Sequence, residues 1–129
     1  QLDKLPEANR RRRDDFRLYR QRLAAVPGVA VAYPEDDTGR VHHILPVLLP
    51  GGVDRDLFMD AMKARGVQTS IHYPPSHLFD FYRRSFGHDE GDLPVTEAAM
   101  EREITLPLYP AMTEEDVDYV CGAAEACLP

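Results

Sequence analysis

The sequence has no tryptophan, only two cysteines and only two lysines in 129 residues. Cys121 and Cys127 stand six apart on what reads as one helix. They therefore project in different directions and lie too far apart to bridge, and two free thiols fit a reducing compartment. No apolar run approaches the roughly 20 residues of a membrane span. The charged N-terminus is not followed by the apolar stretch of a secretory leader, so a cytoplasmic location without a membrane partner is expected. Thirteen arginines offset the shortage of lysine, but 22 acidic residues leave a net charge of −7. That balance argues against a general affinity for nucleic acid, which rests on neutralising phosphates. Also absent are a Gly-x-Gly-x-x-Gly turn, a Walker sequence and a serine elbow, so a nucleotide phosphate has no recognisable cradle and a nucleophile no recognisable setting.

What is present reads as one domain, large enough to bury about two thirds of the surface its unfolded chain exposes. Phe16, Tyr19, Leu23 and Val26 recur at helical spacing after Pro6, which suits a first turn, and Pro27-Gly28 ends that helix. The run Arg10 to Arg13 on its far face is read as solvated, because Glu7–Arg11, Arg10–Asp14 and Arg11–Asp15 stand at ion-pair spacing. Strands are expected at 29–33 and 41–49, separated by the turn-forming Glu35-Asp36-Asp37-Thr38-Gly39. Pro46 argues for an edge or a bulge, and His42 and His43 should point to opposite faces. Asp54 is a good N-cap for a helix to about Arg65, which Gly66 ends. A strand over 67–73 then completes a strand–helix–strand unit with parallel strands, between which there is room for another. Helical turns are expected over 77–85, a mobile acidic loop over 86–92, a helix over 94–103 and a short strand over 104–106. The last helix opens on Thr113 and Asp116 at capping-box spacing and buries Val117, Val120, Cys121 and Ala124.

The chemistry-bearing residues gather in Ile71-His72-Tyr73-Pro74-Pro75-Ser76-His77. A strand end with a proline-fixed exit holds side chains at defined angles, so His72, Tyr73 and His77 are candidate binding residues. Equally, His72 and Tyr73 could simply alternate between core and surface while the prolines end the strand. A metal site drawing on His72, His77, His88 and nearby acids is a further possibility, although the spacing matches no standard zinc pattern.

Three separated blocks carry a resemblance. Arg65-Gly66-Val67-Gln68-Thr69-Ser70-Ile71-His72-Tyr73-Pro74-Pro75-Ser76-His77, then Leu93-Pro94-Val95-Thr96-Glu97, then Thr105-Leu106-Pro107-Leu108-Tyr109-Pro110-Ala111-Met112-Thr113-Glu114-Glu115-Asp116-Val117 resemble the C-terminal part of the DegT/DnrJ/StrS family of pyridoxal-phosphate sugar aminotransferases. Gln1 to Leu5, with Arg11 to Arg13 and Tyr19, is similar to the long helix that crosses between that family's two domains. The resemblance implies an α+β fold, a small, mostly antiparallel sheet covered by helices, with a crossing helix over 1–27 and a small C-terminal domain over 28–129. It implies a role in aminating a keto sugar, nucleotide-linked, or a cyclitol, with pyridoxal phosphate held by an N-terminal large domain outside this sequence. An amino-acid donor and a homo-oligomer, a dimer, are implied with it. His72, Tyr73 and His77 match family positions on the substrate side of the cleft. Ser76 departs from the larger apolar residue often found there. Lys4 and Lys63 do not match the context of the Schiff-base lysine, so the chain alone is expected to hold no cofactor and to be inactive. The face that meets the missing domain should be apolar and exposed. A stand-alone binding module of the same fold, or a histidine-based metal enzyme, are the alternative readings.

Overall fold

The computed structural model describes residues 2–32 and 40–129. A 3-10 turn at Leu2–Lys4 leads into α1 (Leu5–Leu23), followed by β1 (Ala30–Val31), β2 (Leu45–Leu48) and α2 (Arg55–Ala64). A second 3-10 turn at Ser76–Leu78 precedes α3 (Asp80–Phe86), α4 (Pro94–Arg102), β3 (Glu103–Leu106) and α5 (Glu114–Ala126). The sheet has the order β1-β2-β3 and is antiparallel throughout. With helices covering it, this is the α+β class.

Local chemistry accounts for most helix ends. The Asp54 side chain accepts from the Leu57 N–H at 3.0 Å and caps α2, and Gly66 follows at φ 77°, a conformation that favours glycine. Thr113 and Asp116 form the reciprocal capping box of α5, satisfying two otherwise orphaned N–H groups. The apolar stripe of α1 (Phe16, Tyr19, Leu23) meets that of α5 (Val117, Val120, Cys121, Ala124), and both close over Leu45, Val47, Ile104 and Leu106 of the sheet. Burial pushes the Cys121 thiol up to about 12, and both cysteines are free. Two of the four arginines of the run are shown in ion pairs: Glu7 holds Arg10 and Arg11, and Arg10 also reaches Asp14. These hydrogen bonds hold the Glu7 carboxyl down at about 2. The expected Arg11–Asp15 pair is replaced, because Arg11 turns to Glu7 while burial raises the Asp15 carboxyl.

The strands depart from expectation in instructive ways. β2 starts at Leu45 rather than Val41, because His42 adopts φ 42° and breaks the extended run. His42 is buried with its ring stacked on Phe16 at 3.8 Å, while His43 is exposed. The first strand is only Ala30–Val31, and Tyr33 and the 35–39 turn lie outside the described residues. Pro46 stands in the central strand β2, not at an edge. Its partner Thr105 turns both backbone groups to Ser70, so Pro46 faces the β1 side, where its carbonyl accepts the Ala32 N–H at 3.1 Å and only the return bond is lost. The expected strand over 67–73 is reduced to a single antiparallel bridge between Ser70 and Thr105. Since β2 and this segment both run antiparallel to β3, they share a direction, with β3 between them. The two segments of the 41–73 unit are thus parallel with another strand between them, as the sequence reading allowed.

Candidate functional site

The single bridge at Ser70 sets the geometry of the candidate residues. Thr105 N–H donates to the Ser70 carbonyl at 2.7 Å and Ser70 N–H to the Thr105 carbonyl at 3.2 Å. Antiparallel register then places His72 opposite Glu103. Side chains two apart on a strand share a face, so Glu103 and Thr105 present their polar groups together. Glu103 is fully buried, yet its carboxylate is satisfied: Oε2 accepts the His72 backbone N–H at 3.1 Å and Oε1 accepts the Thr105 hydroxyl at 2.8 Å. His72 Nδ1 lies 2.9 Å from Thr105 Oγ1 and 3.3 Å from Ser70 Oγ. The His72–Tyr73 peptide is cis, and the two rings meet edge to face at 4.9 Å. Tyr73 is exposed and His72 half-buried, so this pair borders solvent above a buried polar base.

His77 stands apart from that pair. It lies in the 3-10 turn, buried, with Nε2 at 2.8 Å from Glu97 Oε1. Glu97 also accepts the backbone N–H groups of Gly91 and Leu93, while Asp92 accepts from the Asp89 N–H and lies 3.2 Å from His88 Nδ1. The loop expected to be free is therefore strapped to α4. Hydrogen bonds from Gly91 first, then His77, hold the Glu97 carboxyl below the usual carboxylate range. Its contribution is thus present in full above the ordinary glutamate value of about 4.3 and is lost as pH falls through the lowered one. Amide-exchange protection of Gly91 and Leu93 is expected to drop in that window while the protection of Ile104 holds. Unchanged protection of Gly91 on acidification would refute the strap.

Beside the segment, Arg55, Ile71, Pro74, Pro75, Leu78 and Met100 line a groove of ≈ 380 Å³ that carries Glu90, Glu97 and Glu101 on its walls. Phe81, Tyr82 and Phe86 of α3 form an exposed aromatic cluster, with Tyr82 and Phe86 stacked at 6.0 Å. Among the described residues, no three histidine, cysteine, aspartate or glutamate side chains gather as a metal site, because His72 is committed to Thr105 and His77 to Glu97. Reading the sequence missed Glu103 and Thr105. Their signal is a pair of polar residues two apart in a short strand otherwise made of Ile104 and Leu106.

The fold is thus a small antiparallel sheet under helices, with a histidine–tyrosine pair at its solvent-facing rim. The chain belongs to the DegT/DnrJ/EryC1/StrS aminotransferase family, whose sequence profile matches residues 1–125. It is 31% identical over 127 residues to the Bacillus subtilis spore coat polysaccharide biosynthesis protein SpsC, covering 95% of this chain and 33% of that protein. The aminotransferase TlmJ from Streptoalloteichus hindustanus superposes with a TM-score of 0.84 at 34% identity, over 98% of this chain and 33% of its own. DesI, solved in the presence of its TDP-sugar product, gives 0.83 at 33% identity, over 98% and 32%. The family's aminotransferases depend on pyridoxal phosphate, and a relative from Streptococcus pneumoniae has been solved in its PLP form. The chain spans about a third of the length of the curated relatives it matches.

Proposed function

We infer that this chain is the C-terminal portion of a pyridoxal-phosphate-dependent aminotransferase acting on a keto sugar, nucleotide-linked, or a cyclitol, and that it supplies substrate-side residues. The observation that carries this reading is the family match along nearly the whole chain. In this reading residues 1–27 cross from a larger upstream domain, and 28–129 form the small domain of a homodimer in the cytoplasm. His72 and Tyr73 contact the substrate from the rim, and His77 offers Nδ1, since Nε2 is engaged by Glu97. An amino acid serves as donor. The exposed aromatic cluster of α3 is suited to docking against the missing domain.

Pyridoxal phosphate supplies an electron sink once joined to a lysine. The residues here do not fit that group by themselves. Lys4 is exposed at the start of α1, and Lys63 is exposed on α2 beside a shallow depression of ≈ 530 Å³ with Asp60, Gln68 and Thr69 but no ring to stack on the cofactor. No step is therefore assigned to these lysines; the upstream domain is the place for that chemistry.

In the full-length protein, His72→Ala and Tyr73→Phe should each lower kcat/KM for the sugar by about three- to tenfold, the worth of one hydrogen bond, with cofactor content unchanged. Negligible effects on turnover, or losses of cofactor equal to the losses of turnover, would reject the assignment.

A further inference from the structure

The buried groups beneath His72 make a directional chain. Glu103 accepts at both carboxylate oxygens, and one of the donors is the Thr105 hydroxyl at 2.8 Å. A threonine hydroxyl has one proton to give. Having given it to Glu103, Thr105 offers only lone pairs to His72 Nδ1 at 2.9 Å, so that nitrogen must carry a proton. In neutral imidazole the other nitrogen is then an acceptor. His72 Nε2 has no hydrogen-bond partner among the described residues, whose hydrogen bonds to this ring all fall on Nδ1.

We propose that Glu103 and Thr105 are positioning residues that hold His72 as the Nδ1–H tautomer and so present Nε2 as a hydrogen-bond acceptor for a hydroxyl of the substrate. The register supports the assignment independently of the ring's own contacts. The Ser70–Thr105 bridge brings His72 opposite Glu103, and the carboxylate's second oxygen grips the His72 backbone N–H. Backbone and ring of one residue are thus fixed by one buried acid, directly and through one hydroxyl. A polyhydroxylated ligand fits this arrangement: a substrate hydroxyl can give its proton to a bare Nε2 and keep its lone pairs for other partners. The role of Nε2 toward substrate rests on the reading of the chain as a sugar-aminating enzyme, whereas the tautomer does not.

The test separates the two. Solid-state ¹⁵N spectra of the full-length protein, labelled at histidine, report which ring nitrogen is protonated, with the His72 signals identified by their loss in His72→Gln. The expected result at neutral imidazole is a protonated Nδ1 and a bare Nε2. Thr105→Val, close in shape and leaving the Ser70 backbone bridge in place, should shift His72 toward the Nε2–H form, and Thr105→Ser should restore the parent pattern. An Nε2–H signature in the parent protein, or an identical pattern in Thr105→Val, overturns the proposal, and the parent spectrum decides even if the valine variant does not fold. Steady-state kinetics add the functional arm: Thr105→Val should raise KM for the sugar about three- to tenfold, with Thr105→Ser near the parent. A tautomer that flips with KM unchanged would uphold Glu103 and Thr105 as the groups that orient His72 while rejecting the acceptor role of Nε2 toward substrate.

Discussion

Replacing Phe16 by alanine is expected to cost the chain about 3–5 kcal/mol, the range for deleting a buried aromatic ring. Phe16 is 1% exposed, its ring stacks on the buried imidazole of His42, and it belongs to the stripe by which α1 meets the core. Its loss removes transfer free energy and leaves a cavity between a helix and a loop that cannot collapse together, because His42 is already held at a positive φ. Against a total stability of about 5–15 kcal/mol for a domain, the effect should appear as a large fall in the urea midpoint without a change of slope. A loss below about 1 kcal/mol, the ordinary size of a point-mutation effect, would mean that α1 is not seated on the core in solution. That outcome would also remove the basis for treating residues 1–27 as part of this folding unit.

Glu103→Ala is the second large effect, expected at about 2–4 kcal/mol. The carboxylate is 1% exposed and satisfies the His72 N–H and the Thr105 hydroxyl. Its removal strands a buried backbone donor at about 1–3 kcal/mol and leaves an empty volume at the start of β3, whose four residues are all buried. The Thr105 hydroxyl can rotate toward His72, which softens its share. Glu103→Gln keeps an acceptor for one of the two donors and should cost less than alanine, so the pair of variants separates hydrogen bonding from packing. Equal losses in both would mean that shape alone matters at this position. A loss within about 0.5 kcal/mol, as for a surface site, would show that Glu103 is not buried in the folded chain.

The two effects differ in how far they could be foreseen. Phe16 follows from a 3.6-residue period within a single helix, and that period needs no knowledge of the rest of the chain. The caps at Asp54 and Thr113 are legible for the same reason, since donor and acceptor lie three residues apart. His72 and Tyr73 were visible as candidates because prolines and an alternating strand mark them locally. Glu103 was not, because an acid just after Arg102 reads as the end of an exposed helix until the strand that buries it is known. The 86–92 segment is a surface loop as its glycines and acids suggest, but its hydrogen bonds to Glu97 and Arg83 are not legible locally.

By itself, then, the sequence determined the longer helices and the caps at Asp54 and Thr113, though not the end of α1 at Leu23, the apolar stripes of α1 and α5, the family and the segment 66–77, because each depends on spacing within a few residues or on motifs carried in order. Only the tertiary structure decided that β3 is the middle of the polar site, that Pro46 sits in a central strand, and that one bridge at Ser70 brings His72 over Glu103. Such pairings join residues more than thirty apart along the chain. Their register is set by what is buried on both faces of a strand at once, a condition that no local pattern encodes.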